Sequence, residues 1–286
     1  MARLHPDTAE NPSTAAPAGS GPWQHELDFA ITQAAAIGDL LTGARPAPAT
    51  VKPDGTPVTT IDVAGNTLFS QALQARFPHD LLLAEEDTPP DYGPHPGRVW
   101  VLDPTDATWL LAAGIPLSAV SVALVVDGTP VLGVVRDPHT HRIFTAVAGG
   151  GAACNNRPLH VNQAQHLTGA CLALPGGQVP ALDSAGLLHA AVRAGADLVT
   201  TGSAVQDGLF VPAGLAAGYV YPYTSPWDIA ALAVLTTEAG GHVTDLHGNP
   251  QRYDNHINGA IITNGALHPH LLGLVTTHLR QQTPGT

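Results

Sequence analysis

Two short apolar runs end abruptly in carboxylates, and that feature restricts the fold more than any other. Leu81-Leu82-Leu83 leads into Glu85-Glu86, and Val99-Trp100-Val101-Leu102 leads into Asp103-Pro104-Thr105-Asp106. Apolar stretches of this length, set between polar and proline-rich segments, read as buried strands rather than helices. Strands that end in acids deliver those acids to their tips, where a sheet can open into a cleft.

The rest of the chain supplies a frame for them. Residues 1–22 are dominated by Pro, Ala, Ser, Thr and Gly, have little to bury and read as a disordered leader ending near Trp23. Over 26–41, Leu27, Ile31, Ala34, Ala35 and Leu41 recur at mostly helical spacing and predict an amphipathic first helix. Residues 46–57 break that regularity, and Lys52-Pro53-Asp54-Gly55-Thr56-Pro57 reads as an exposed turn or hairpin. Thr59-Thr60-Ile61-Asp62 offers an N-cap to a second amphipathic helix, which stops at Pro78.

Residues 119–126, 131–136 and 142–148 predict a meander of strands, with turns at Asp127-Gly128 and Asp137-Pro138. Gly149-Gly150-Gly151 lacks the strand-to-helix setting and the Lys-Ser/Thr ending of a phosphate loop, so it reads as a plain turn. Beyond it, strands at 171–174 and 198–200 alternate with helices at 184–194 and 228–239, the last stopped by Gly240-Gly241. The expectation is an open α+β half over 23–158 joined to an α/β half over 159–286, with no internal repeat.

Charge narrows the partners. With 23 acidic against 11 basic residues and a formal net charge of −12, the surface repels nucleic acid and anionic membrane. An anionic substrate must then be met by a bound cation, backbone amides or a local cluster. Cys154 and Cys171 are too few for a disulfide framework and read as reduced thiols in a cytoplasmic protein. The scattered His, including His139 with His141 and His268 with His270, lack Cys or carboxylate companions at zinc-site spacing and are expected at the surface. No run approaches the ~20 apolar residues of a membrane helix, and no export signal is visible at the N-terminus.

Hard divalent cations such as magnesium take oxygen ligands, and a site for them needs carboxylates converging from several segments. Asp103 and Asp106, three apart across Pro104, can turn both carboxylates and the Thr105 carbonyl to one side of a tight turn. Glu85-Glu86 and Asp228 would complete the nest. Singly, each acid is structural more often than not; their flanking sequence changes that balance. The segment Pro57-Val58-Thr59-Thr60-Ile61-Asp62 and the loop from Lys52 before it, Leu83-Ala84-Glu85-Glu86, Trp100-Val101-Leu102-Asp103-Pro104-Thr105-Asp106-Ala107-Thr108, and Trp227-Asp228-Ile229-Ala230-Ala231 running to Glu238-Ala239-Gly240-Gly241 form four blocks. Together they resemble the signatures of the inositol monophosphatase superfamily, from about Glu26 to the end.

The resemblance implies a layered αβαβα sugar-phosphatase fold, with an antiparallel-sheet first half and an α/β second half. It implies a phosphomonoesterase acting on a small phosphorylated polyol, sugar or nucleoside. It further implies two or three magnesium ions bound by Glu85, Asp103, the Thr105 carbonyl and Asp106, with Asp228 joining a neighbouring ion and Glu86 close to that set. Asp62 and Thr108 would orient and deprotonate the attacking water. A homodimer and inhibition by lithium follow from the resemblance alone. The amides of Ala107 and Thr108, just past the metal-binding turn, could hold a phosphate oxygen. Thr108 could instead be a helix cap, and Lys52 could steady the loop over the cleft or be merely solvated.

Three departures stand out. Ala107 occupies the family's Gly position, which matters if that position needs positive φ. Trp109-Leu110-Leu111 matches neither the Thr-Asn-Phe of inositol-type members nor the Lys-Glu-Phe of the nucleotide-bisphosphate branch. Gly202-Ser203-Ala204 resembles the family's Gly-Ser-Ala block and makes Ser203 a candidate on the substrate side, yet residues 219–226 carry no acid to meet substrate hydroxyls. The tyrosines there, Tyr221 among them, either pack inside or form an aromatic wall. The competing readings are a relative that binds metal or phosphate without catalysis, and a specialised biosynthetic phosphatase that does not act on inositol phosphate.

Overall fold

The computed structural model describes residues 21–43, 48–53, 55–88, 92–175, 179 and 181–280. Residues 1–20 of the expected leader, and Asp54 of the expected turn, lie outside the described residues. Helix α1 (Gln24–Gly43) is followed by a hairpin of β1 (Ala49–Val51) and β2 (Pro57–Thr59), then by α2 (Thr60–Arg76). Next come β3 (Leu81–Ala84), β4 (Arg98–Asp106), the short α3 (Thr108–Ala112), β5 (Ala119–Val126), β6 (Thr129–Asp137), β7 (Arg142–Val147), β8 (Gly151–Cys154) and β9 (Arg157–Pro158). The remainder is β10 (Cys171–Ala173), α4 (Ser184–Arg193), β11 (Asp197–Val199), α5 (Ala204–Leu209), β12 (Gly218–Tyr221), α6 (Ala230–Glu238), β13 (His242–Thr244), β14 (Ala260–Thr263) and α7 (His268–His278).

Strands β3 to β9 form one sheet in chain order, and β11-β10-β12-β14-β13 form a second. Helices α1 and α2 cover one face of the first sheet around fully buried Trp100, whose indole meets the edges of Phe29 and Phe69. Helices α5 and α6 lie between the sheets, and α4 and α7 close the far face of the second. The order is αβαβα, as the resemblance implies. Because α6 is sandwiched, it is apolar all round, with every residue from Ala230 to Thr236 buried. It reaches the first sheet over Gly133 of β6, where an added Cβ would stand 2.7 Å from the Ala231 carbonyl oxygen.

The helices and strands expected from sequence are found close to their expected bounds, while β8, β9, α5, β12, β13, β14 and α7 are elements that the sequence reading does not place. The run 81–83 is not buried throughout: β3 is the edge strand, and Leu81 is 45% exposed. The first sheet is antiparallel except where β3 runs parallel to β4. The helix expected over 228–239 begins at Ala230, leaving Asp228 in the preceding turn. Not all histidines are at the surface, because His268 is buried between the hydroxyls of Thr244 and Thr263. Gly149 and Gly151 form a plain turn whose amides both donate to the Glu238 carboxylate at 2.8 Å. No helix among the described residues is long and apolar enough to cross a membrane.

Candidate active site

The acids are set side by side by strand register. Ala84 of β3 pairs with Leu102 of β4, and the Glu85 amide continues the ladder by donating to the Leu102 carbonyl at 3.1 Å. That places Glu85 beside Asp103. In β4, Pro104 has no N–H to give, the Thr105 amide turns to Asp103 Oδ1 at 2.8 Å, and the register shifts between Asp103 and Asp106. The expected tight turn is therefore a bulge at the end of a strand, which re-aims the side chains as such irregularities do next to active sites.

The same ladder recruits the distant acid. Asp103 pairs with Ser121 of β5, and the Ser121 hydroxyl donates to the Trp227 carbonyl at 2.8 Å, fixing the turn that carries Asp228. Tyr221, buried at the end of β12, donates its hydroxyl to Asp228 Oδ2. Asp106 accepts from the Ser203 hydroxyl and from the amides of Ala204 at 3.1 Å and Val205 at 3.2 Å. Ser203 also caps α5 through the Gln206 amide, so this buried residue, a candidate substrate contact from sequence, stands behind Asp106 instead of lining the cleft. The outcome is that carboxylate oxygens of Asp103, Asp106 and Asp228 lie within 4.8 Å of one another.

Asp62 and Thr108 meet from the first turns of α2 and α3. Thr59 caps α2 in a reciprocal capping box, and Asp62 Oδ2 closes it by accepting the Thr59 amide at 2.9 Å. The other oxygen, Asp62 Oδ1, accepts the Thr108 hydroxyl at 2.7 Å, with the Thr105 carbonyl 3.0 Å from the same hydroxyl. The helix-cap alternative for Thr108 falls: Ala107 holds the cap position of α3, in the left-handed region at φ 64° and ψ 49°, and makes no side-chain bond. The structure thus answers the question of that position's φ, with Ala standing where Gly is favoured.

Lys52 is not merely solvated. Its Nζ lies 2.8 Å from Glu85 Oε1 and 3.2 Å from Glu86 Oε1, tying the hairpin turn to the acids. Burial works against its charge, but Glu85 and Glu86 outweigh that and raise its pKa. Burial pushes Glu86 up to about 7, with Glu85 adding to the rise. Burial likewise pushes Asp228 up to about 7; the Tyr221 hydroxyl opposes the rise and Glu85 adds to it. Asp103 and Asp106 are held well above the usual carboxylate range by burial first, then by repulsion from neighbours that include Glu85 and Asp228. Crowded buried carboxylates need protons or a cation. The three clustered acids offer only oxygen donors from separate segments, which fits a hard divalent ion.

These groups open on a cleft of about 740 Å³. Beside the acids, Lys52 and the Ala107-Thr108 segment, aromatic rings contribute much of the lining, with Tyr92, Trp109, Tyr223 and His256 joining Tyr221 and Trp227. Of the three tyrosines near the second signature, Tyr219 and Tyr221 are buried and Tyr223 is 45% exposed. No sequence signal marks Tyr92 or His256 as neighbours. Trp109 has one, its place directly after Thr108.

Acids from three segments, converging with a hydroxyl–carboxylate pair on one crevice of an αβαβα fold, define a class: hydrolases of phosphate monoesters. The chain belongs to the inositol monophosphatase family, whose model matches residues 23–281. It is 33% identical over 202 residues to the Nus factor SuhB of Pasteurella multocida, covering 70% of this chain and 75% of that protein. It is 30% identical over 227 residues to the histidinol-phosphatase of Chlorobaculum parvum, covering 78% and 85%. The Thermotoga maritima IMPase superposes with a TM-score of 0.79 at 27% identity, over 89% of this chain and 98% of that one.

Proposed function

We propose that this protein hydrolyses small phosphate monoesters with magnesium held by Asp103, Asp106 and Asp228, joined by Glu85 and the Thr105 carbonyl. The observation that carries the reading is the convergence of three largely buried carboxylates whose oxygens lie within 4.8 Å of one another, with pKa values raised by burial and mutual repulsion. Divalent ions bound there would neutralise the phosphate, lower the pKa of a bound water and stabilise the leaving oxygen.

The chain's own groups supply the rest. Thr108 commits its hydroxyl hydrogen to Asp62, which leaves its oxygen lone pairs to accept from an attacking water and Asp62 to take the proton. The amides of Ala107 and Thr108 would hold a phosphate oxygen. Ser203 and Tyr221 fix the rotamers of Asp106 and Asp228. Lys52 balances charge at Glu85 and Glu86 and brings the β1–β2 hairpin over the cleft.

The test is phosphate release, with and without magnesium, across phosphorylated polyols, sugars and nucleosides. Asp103→Asn should lose roughly 10³-fold in kcat/KM, in keeping with the several kcal/mol such charge stabilisation supplies. Turnover no greater than that control, on every ester, would sink the reading. Magnesium binding without turnover would then favour a relative that keeps the site and has lost catalysis.

A further inference from the structure

We propose that the alcohol esterified to the phosphate carries a planar aromatic or heteroaromatic ring, and that Trp109 is the residue that selects it. This rests on the phosphatase reading above and names its substrate class.

Hydroxyl recognition is poorly provided for. Among the described lining residues, the carboxylates are Glu85, Glu86, Asp103, Asp106 and Asp228, all of them in or beside the acid cluster. The lining ammonium, Lys52, is engaged by Glu85 and Glu86, and the Tyr221 hydroxyl is given to Asp228. A polyol entering such a cleft would meet neutral hydroxyls, among them those of Thr88, Tyr92, Tyr223 and Ser225, but no carboxylate or ammonium outside the acid cluster among the described lining residues, and bonds to neutral groups are the weaker kind.

Ring recognition is well provided for. Trp109 is 52% exposed and Tyr223 is 45% exposed, and both line the cleft, so each presents a large apolar face that a flat ligand would cover. Trp109 follows Thr108 directly in α3, and both line the same cleft. It is also fixed there. Its Nε1–H donates to the Gly202 carbonyl at 3.2 Å, and the ring rests against Gly202, where a Cβ would come within 2.7 Å of Cζ2. Gly202 further sits at φ +85°, a conformation other residues rarely adopt. A side chain seated on a bare Cα and still half open to solvent is a preorganised platform, which spares a ligand the cost of ordering it. Tyr92 and His256, their ring centroids 4.2 Å apart, add a second aromatic surface to the same cleft.

A flat heteroaromatic ring is the ligand chemistry that these exposed aromatic faces suit. Purine nucleoside monophosphates and imidazolylalkyl phosphates share that chemistry, and the experiment separates them. The full chain with magnesium is assayed on adenosine monophosphate, an imidazolylalkyl phosphate, inositol 1-phosphate and glycerol 2-phosphate. Hydrolysis-resistant phosphonate analogues of the same four are titrated by calorimetry. At least one ring ester should exceed both polyol esters by about 10-fold or more in kcat/KM, and its identity names the source of the ring. Trp109→Ala should lower kcat/KM for the preferred ring ester by roughly 5- to 150-fold more than for the polyol esters, the range that loss of one stacking partner gives. Trp109→Phe should retain most of it and Trp109→Leu should not, because a flat face rather than apolar bulk is required. Polyol phosphonates binding as tightly as ring phosphonates, or Trp109 variants weakening both classes alike, would overturn the proposal. Ring phosphonates binding preferentially, with no ester turned over, would uphold the ring preference and refute the phosphatase reading.

Discussion

At the acid end of the cleft, each clustered carboxylate has a named partner that belongs to the scaffold: the Thr105 amide for Asp103, the α5 amides and Ser203 for Asp106, and Tyr221 for Asp228. At the ring end the contacts are of another kind. Tyr92 lies against His256, Tyr223 packs edge-on to Tyr221 at 5.3 Å, and the Trp109 indole donates to a backbone carbonyl, that of Gly202. Hydrogen-bonded acids have little freedom to move without unpairing buried groups, whereas rings in van der Waals contact can be exchanged at modest cost. The acid end is thus built for one chemistry and the ring end for a choice of substrate.

Three measurements can break or sharpen that contrast. The largest effect belongs to Asp62 and Thr108. Thr108→Val and Asp62→Asn should each lose roughly 10²- to 10⁴-fold in kcat/KM, the usual worth of proton transfer, and by the same factor on ring and polyol esters. Thr108→Ser should retain most activity. A loss confined to one substrate class would mean that the acid end also chooses substrates.

An intermediate effect comes from titration, which should act at the acid end alone. Glu86 and Asp228 titrate near about 7 in the folded protein, well above the usual carboxylate range. The unfolded chain gives up those protons from about pH 4, the folded protein only towards about pH 7, so metal-free stability falls as pH rises through that window. Magnesium competes with the protons, so its stabilising effect should grow over the same window. Calorimetry at about pH 5 and about pH 7.5 should show a metal-free Tm lower at the higher pH, by on the order of 5 °C. A metal-free Tm that rises instead would contradict the raised values.

The smallest effect lies at Ala107, the joint between the strand bearing Asp106 and the helix bearing Trp109. Relief of its left-handed backbone by Ala107→Gly, less the extra freedom Gly brings to the unfolded chain, should stabilise by up to about 1 kcal/mol in denaturant unfolding. An unchanged ring preference in that variant would show that the joint serves geometry common to both ends.

What the sequence discloses is mostly local. The cap at Thr59 with Asp62 three residues on, and acids directly after apolar runs, depend on neighbours along the chain, and both are where the residues imply. What it hides depends on register between distant strands. Nothing near Ser121 announces that its hydroxyl will hold the Trp227 carbonyl and so place Asp228 beside Asp103. Lys52 is ambiguous as a lone basic residue, since its partners stand 33 and 34 positions away. An apolar run such as 81–83 does not say whether its strand will be central or at an edge. The face that Trp109 leaves open is decided by Gly202, a residue with no side chain to advertise the contact.

One side chain, Asp62, closes the α2 capping box with one oxygen and receives Thr108 with the other. Among relatives that have drifted away from catalysis, folding alone would still favour an acceptor at this position. The aspartate is therefore a poor marker of living activity within such a lineage. Asp62→Ala should lower both Tm and turnover, while Asp62→Asn keeps an acceptor for the cap and separates the two. The informative position is Thr108, whose hydroxyl bonds, among the described residues, only to Asp62 and the Thr105 carbonyl, so selection for a well-formed helix start gives no reason to retain it.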